Sequence, residues 1–346
     1  MNCGLPRTQA GLTLVELLIA LLLGVIITAA AGQILISTKN VYRMQEDISR
    51  IQEGGRFAVD LLSHDIRMAG YVGCGSLNRV DVNVIAKNSG DWRDLDANNF
   101  IRGEDNVSAS NALGAKPGTD FIQIKGAMGS GVRLYPETVT NANIKIEGNP
   151  FGFKRGDVLM VTDCVNADIF SVVGISNAAT KVTIAHSAAG NTSNFLSTQY
   201  GSDAEVVFFQ MMSYYVKPSG RKTSAGRDID SLWLRIHGGN VSATPGFVDL
   251  EVVEGVENLQ IEYGLDTNGD RAVNEFRTAA QITSAAQWGR VVAVRFSLLM
   301  AGNGEKIIAT SGAFAQSLNY NGAAVSADGV MRKVFDNVVA VRNRIP

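Results

Sequence analysis

Gly11-Leu12-Thr13-Leu14-Val15-Glu16-Leu17-Leu18-Ile19-Ala20-Leu21-Leu22-Leu23 places one carboxylate inside a stretch greasy enough to enter a bilayer. From Leu12 to Ile36 there is no Lys, Arg, Asp or His, and Glu16 is the only ionisable side chain. About 25 helical residues span the ~30 Å hydrocarbon core. An ionisable group at that depth is costly and marks a contact with a partner by default. Glu16 therefore needs one.

The residues ahead of it suggest where the partner lies. Met1 to Ala10 form a short polar leader carrying Arg7, and the leader ends at Gly11. A secretory signal has its small-residue cleavage site after the apolar region, so the greasy part is discarded; a cut at Gly11 would keep it on the mature chain. This order resembles the class III signal of type IV prepilins and pseudopilins: a Gly, an apolar residue, Thr-Leu-x-Glu, then a run of Leu, Ile and Ala. The resemblance implies a prepilin peptidase that cuts after Gly11 and methylates the new amino terminus at Leu12. Leu stands at that position where Phe is commoner in the family. Glu16 becomes the fifth residue of the mature chain and is expected to pair, during subunit assembly, with the charged amino terminus of a neighbouring subunit. Such a pair is far stronger in a low dielectric than in water, and it would help set the axial register.

With Arg7 on the cytoplasmic side the positive-inside rule sends the chain outward, although Lys39 and Arg43 on the far flank weaken that vote. The prepilin resemblance implies a single-pass protein of the bacterial inner membrane with a periplasmic head, delivered to a pilus (fimbrium) tip.

The helical pattern continues past the membrane. Val41, Met44, Ile48, Ile51, Ala58, Leu61 and Leu62 recur at three- and four-residue steps, with charged residues on the other faces. No proline occurs between Pro6 and Pro117, so one helix is expected from Leu12 to about Met68, with Gly24, Gly32 and Gly54-Gly55 as candidate kinks. Glycines 70, 73 and 75 then end it. The exit Arg67-Met68-Ala69-Gly70-Tyr71-Val72-Gly73-Cys74 resembles the corresponding segment of the PilW family of type IV pilus minor pilins. The island from Gly156 to Phe170, a strand, a turn containing Cys164 and a second strand, resembles that family again. The implied function is a minor pilin assembled with other minor pilins into a priming or tip complex that initiates pilus assembly. Implied partners are the prepilin peptidase, other minor pilins, the major pilin and a PilY-type tip adhesin. The rival readings are a minor pseudopilin of type II secretion and a tip adhesin, a binding module with calcium dependence.

The expected fold is α+β and pilin-like: a long transmembrane and amphipathic helix packed on an antiparallel β-rich head. The chain divides into a leader (1–11), a transmembrane half-helix (12–36), an amphipathic half-helix (37–69), an inserted β-rich lobe (70–203) and a C-terminal sheet region (204–346). Segments 102–118 and 187–203 are low in hydrophobicity and read as exposed loops.

At 346 residues, 46% hydrophobic and 18% charged, the chain has enough apolar material for one or two cores. The net charge of -2 becomes -3 once Arg7 leaves with the leader, and that near-balance argues against a nucleic-acid partner. Of Cys3, Cys74 and Cys164, the first lies in the leader. In the periplasm implied by the resemblance a Cys74–Cys164 disulfide would persist; it closes a loop of about 90 residues, for which chain entropy gives roughly 4–5 kcal/mol. Two buried free thiols are the alternative.

Asp266-Thr267-Asn268-Gly269-Asp270 places oxygens at the first, third and fifth positions of an EF-hand-like calcium loop. The sixth position is Arg271 instead of Gly and the twelfth is Arg277 instead of Glu, and a polar hairpin turn around Asn268-Gly269 explains the same residues. No other cofactor is implied. No catalytic residue is assigned: His64, His186 and His237 are isolated, and no nucleophile elbow, phosphate loop, paired-His motif or Cys-x-x-Cys occurs. Trp92, Trp233 and Trp288 read as core or turn anchors.

Overall fold

The computed structural model describes residues 13–73, 80–87, 99–135, 142–176, 181–237, 247–303, 316–325 and 327–344. Its first element, α1 (Leu14–Met68), is a 55-residue helix, about 82 Å long at 1.5 Å per residue. It runs unbroken through all four glycines that were candidate kinks. Thr13 caps its start, and at its end the positive φ of Gly70 turns the chain so that the Gly70 N–H donates to Lys125 O at 2.8 Å. Asn343 Nδ2 donates to the carbonyls of Met68, which also accepts the Tyr71 N–H, and Ala69 at 3.3 and 3.0 Å, helping to satisfy acceptors that a helix end leaves open.

The two halves of α1 differ in their surroundings. Among the described residues it is the one helix long and apolar enough to cross a membrane, and its most apolar window is wholly exposed. Further along, Ile51, Gly55, Ala58, Leu62 and Ile66 recur at helical spacing and are buried against the head.

The large sheet has the order β1 (Asp81–Val84), β6 (Asn166–Ser171), β5 (Val158–Thr162), β9 (Glu205–Lys222), β10 (Asp228–His237), β11 (Phe247–Glu254). β2 (Ile101–Glu104) and β3 (Phe121–Arg133) join it through β9. The 18-residue β9 is the common spine: β5 pairs with residues 205–208 and β10 with residues 211–222. This sheet draws strands from both sides of residue 203. One pairing departs from the antiparallel expectation, since β1 runs parallel to β6. The chain between them is long enough to return to the same end, the condition a parallel pair requires.

A second, fully antiparallel sheet has the order β13 (Glu275–Arg277), β12 (Val256–Leu265), β14 (Val291–Ala301), β17 (Arg332–Ala340). A short α2 (Ala279–Ser284) follows β13. Two small sheets complete the head: β4 (Asn143–Ile146), β8 (Val182–Ala185) and β7 (Gly174–Ser176), and the pair β15 (Asn319–Tyr320) and β16 (Ala323–Ala324). The main core lies where α1 and the two large sheets meet, with Ile51, Leu62, Ile66, Ile122, Tyr214, Leu232, Leu259 and Phe296 buried together.

The stretches expected as exposed loops are largely that beyond residue 104, pinned to the head at a few points. Residues 101–104 form a strand, and Val107, Leu113 and Ala115 are buried with Phe121 and Tyr215. Asn111 Oδ1 accepts the Ala115 N–H at 2.8 Å, and Asp120 Oδ1 accepts the Asn106 N–H at 2.7 Å. In the other stretch Tyr200 OH donates to the buried Asp168 at 2.7 Å, and Ser197 Oγ does so at the same distance. A few apolar anchors and side-chain acceptors suffice to hold in place a segment whose average hydropathy is low.

Candidate functional site

Glu16 stands in the first turn of α1 and folds back over it. Its Oε2 accepts the Thr13 N–H at 3.0 Å and the Thr13 hydroxyl at 3.1 Å, while the Glu16 N–H donates to Thr13 Oγ1 at 3.3 Å. This reciprocal capping box satisfies backbone donors that the helix start leaves open, and it places negative charge at the positive end of the helix dipole. Oε1 makes no hydrogen bond among the described residues, so the carboxylate keeps acceptor capacity facing outward. Gly11 and Leu12, the expected cleavage and methylation positions, lie outside the described residues. On both sides of Glu16 the helix presents Leu14, Val15, Leu17, Leu18, Ile19, Leu21 and Leu22, each more than half exposed. An apolar cylinder of this kind, unpartnered among the described residues, is a surface made for lipid or for other helices.

The other half of the helix is fixed to the head by small residues and polar contacts. Gly55 lies so close to Phe335 of β17 that a Cβ there would stand 2.3 Å from the ring. Asp65 is buried and accepts a hydrogen bond from the buried Tyr214 hydroxyl of β9, and its Oδ1 lies 2.9 Å from His64 Nδ1. Burial, with the Asp65 charge and hydrogen bond adding to it, pushes the Tyr214 hydroxyl far above the usual tyrosine range, so it stays protonated as the donor. Asn337 Nδ2 donates to Ser63 Oγ at 2.8 Å. Contacts to Phe335 and Asn337 of β17, and then to Asn343 in the 3-10 turn that follows it, thus advance along the chain as α1 passes Gly55, Ser63 and Met68, and the helix has one orientation on its head.

Cys164 occupies the turn between β5 and β6 with a φ of 73°. Its N–H donates to Thr162 Oγ1 at 3.3 Å, and Asp163 Oδ1 accepts from Val165 and Asn166. Gly73 packs against the same threonine: a Cβ on it would stand 2.6 Å from Thr162 Cγ2. Cys74 lies outside the described residues.

The Asp266–Asp270 stretch links β12 to β13, whose ladder begins at Leu265 and Glu275. Asp266 Oδ1 accepts from the N–H groups of Asn268 and Gly269 at 3.2 and 2.6 Å, and Oδ2 from Arg271 at 2.8 Å. Asn268 Nδ2 donates to Asp270 Oδ2 at 3.0 Å. Slight burial opposes ionisation of Asp266, but the backbone donors led by Arg271 prevail and hold its carboxyl below the usual range. The three oxygen-bearing side chains are together in one turn, each engaged by the loop itself.

His64, His186 and His237 are far apart. His186 is buried beside Phe170, 5.2 Å between ring centroids, and neither ring nitrogen has a hydrogen-bond partner among the described residues. His237 Nε2 lies 3.1 Å from Ser213 Oγ. Among the described residues no group of three or more His, Cys, Asp or Glu is placed to hold a metal ion. Trp288 is buried edge-on to Tyr263, Trp233 is half-buried, and Trp92 lies outside the described residues. The Asp65–Tyr214 bond, the Gly55–Phe335 contact and the Asn343 cap were missed from sequence. An acidic residue on an apolar helical stripe was the one available signal, and it did not name its partner.

Two family models match this chain. The prokaryotic N-terminal methylation motif matches residues 6–32, which contain Gly11, Leu12 and Glu16. The type IV pilus-assembly protein W model matches residues 213–343, which contain the end of β9 and the whole second sheet. That match lies C-terminal to both islands on which the sequence resemblance was drawn. No curated protein and no solved structure matches significantly. A prepilin-type signal on a membrane-length apolar helix, joined to a PilW-matching sheet on which that helix is seated, supports a PilW-type pilin of the type IV pilus.

Proposed function

We propose that the chain is a minor pilin that joins other minor pilins in a priming complex, and that this complex starts the pilus and stays at its tip. The observation that carries the reading is the division of α1: one half is seated by Asp65, Gly55 and Asn343, and the other is fully exposed with Glu16 at its start. A rigid head on a free apolar helix is a building block whose insertion sets the position of the next.

Prepilin peptidase cleaves after Gly11 and methylates Leu12, and the Leu12 amino group of one subunit meets Glu16 of another. The major pilin follows, and a PilY-type adhesin is held by the head at the tip. The protein starts in the inner membrane with its head in the periplasm, and its work is structural, with no reaction of its own. Cys74 pairs with Cys164, consistent with Gly73 lying against Thr162.

Deletion of the gene, scored for surface pili and for secretion, tests the reading. Lost pili with intact secretion is expected; the reverse result assigns the chain to a secretion pseudopilus. The Glu16 contact is tested by immunoblotting sheared pili. Glu16→Ala is expected to remove the chain from them and Glu16→Gln, which preserves a capping acceptor without the charge, to do the same. Full incorporation of Glu16→Gln would reduce Glu16 to a helix cap.

A further inference from the structure

β11 ends the large sheet, and among the described residues no strand pairs with its outer edge. Proteins blunt exposed edges with Lys, Pro or unpaired charge. Phe247-Val248-Asp249-Leu250-Glu251-Val252-Val253-Glu254 contains neither Lys nor Pro. Its carboxylates are engaged by arginines of the same sheet: Arg235 holds Asp249 at 2.6 and 2.8 Å, and Arg221 holds Glu251 at 2.9 Å and Glu254 at 2.6 Å. Val248 and Leu250 are 56% and 45% exposed. Register sets them beside Ile236 and Leu234, which neighbour Met212 and Tyr214, so they continue the apolar face that α1 covers at Tyr214. A groove of about 510 Å³ between α1 and the sheet ends extends this surface, with Ile51, Phe57, Val252 and Met300 in its walls.

We propose that β11 and this groove receive an extended strand of a neighbouring pilus subunit. The strand hydrogen-bonds to the β11 edge and lays alternate apolar side chains over Val248, Leu250 and Phe57, a mode in which the main chain supplies affinity and side-chain pockets supply specificity. The inference rests on the pilin reading above. Two observations favour this occupant. The groove is continuous with the assembly helix, since residues 50–57 of α1 form one of its walls. The surface is also acidic on balance: Arg50 in the groove wall is paired with Glu46, Glu53 on the rim has no ion pair among the described residues, and Glu251 and Glu254 share the single guanidinium of Arg221. The occupant therefore carries a basic residue near its apolar alternation.

A second copy related by a two-fold axis does not fit. Gly54 of α1 lies beside Val253, whereas Asp65 bonds Tyr214, which the register aligns through Leu234 with Leu250. α1 thus runs opposite to β11, and an antiparallel β11–β11 ladder would aim two membrane helices in opposite directions.

The test uses the full-length chain in its native cells. A photo-crosslinking phenylalanine analogue replaces Leu250, with the same group at the exposed Phe195 as control. The result expected is a Leu250 crosslink to an extended segment of a different pilin subunit, without that product from Phe195. Val248→Lys combined with Leu250→Lys is expected to lower the chain's amount in sheared pili about tenfold at an unchanged melting temperature. Crosslinking to a second copy or to a helical segment overturns the proposal, as does parental incorporation of the double variant. A parental chain absent from pili altogether sinks the pilin-assembly reading first and this inference with it.

Discussion

Gly55→Ala tests how α1 is held on the head. The added Cβ would stand 2.3, 2.4 and 2.8 Å from Cε2, Cζ and Cδ2 of Phe335, against the ~3.5–4.0 Å at which carbon atoms rest in contact. The ring must retreat by about 1 Å or the helix must lift. Overpacking of this kind costs about 1–3 kcal/mol. Replacing a helical glycine by alanine returns about 0.8–1.0 kcal/mol of propensity. The net expectation is a loss of about 1 kcal/mol, a fall in melting temperature of roughly 2–4 °C for a large domain. Gly54→Ala is the internal control, because its Cβ would meet Val253 Cγ1 at 3.2 Å and Met300 Cε at 3.4 Å, distances that small side-chain shifts relieve. There the propensity gain is expected to win. Thermal unfolding of the detergent-solubilised full chain, followed by circular dichroism, ranks the pair. Gly55→Ala combined with Phe335→Leu should recover part of the loss. If Gly55→Ala melts at or above Gly54→Ala, the tight seat on β17 is wrong.

Tyr214→Phe removes the buried donor to Asp65 and is expected to cost about 1–3 kcal/mol, measured by denaturant unfolding; a neutral result would mean that another donor satisfies Asp65. Two buried groups should give opposing pH slopes. Burial pushes the Asp120 carboxyl up to about 6, against the pull of the Asn106 and Ile261 N–H groups, so the stability it contributes below about pH 4 is lost as pH rises to about 6. Burial pushes the His186 imidazole down to about 4, so its contribution, full above about pH 6.5, is lost as pH falls to about 4. Denaturant midpoints between pH 4 and 7 should therefore rise with pH more steeply in Asp120→Asn and less steeply in His186→Leu than in the parent; slopes equal to the parent's would contradict both assignments. Asp266→Ala deprives three backbone N–H groups of their acceptor and should lower the melting temperature equally in chelator and in millimolar calcium. A loss seen only with calcium would favour a metal loop.

How much the sequence revealed depended on range. The apolar run, Glu16 and the glycines after Met68 are local signals, and α1 begins and ends within two residues of the expected limits. β14, which opens Val291-Val292-Ala293-Val294, carries a local strand signal of its own. β2 was missed because Ile101-Arg102-Gly103-Glu104 has little strand propensity of its own; its pairing with β3 and a glycine packed against the Tyr263 hydroxyl make it a strand. The parallel β1–β6 pair and the seat of α1 rest on contacts between residues 85 or more apart in the chain, for which a single sequence carries no periodic trace. The N-terminal methylation motif was legible because it is short and contiguous. The β11 edge was not, since a strand reads the same whether or not a neighbour covers it.

The in-step contacts along β17 and the Tyr214 bond to β9 have a mechanical meaning. A tug on the membrane end of α1 is delivered along strands lying roughly in line with the helix, so their ladders are loaded in shear, many hydrogen bonds at once, instead of being unzipped singly. β9 pairs with β5, β3 and β10, and the load passes into both ends of the large sheet. A head wired in this way transmits tension between its helix and whatever it holds.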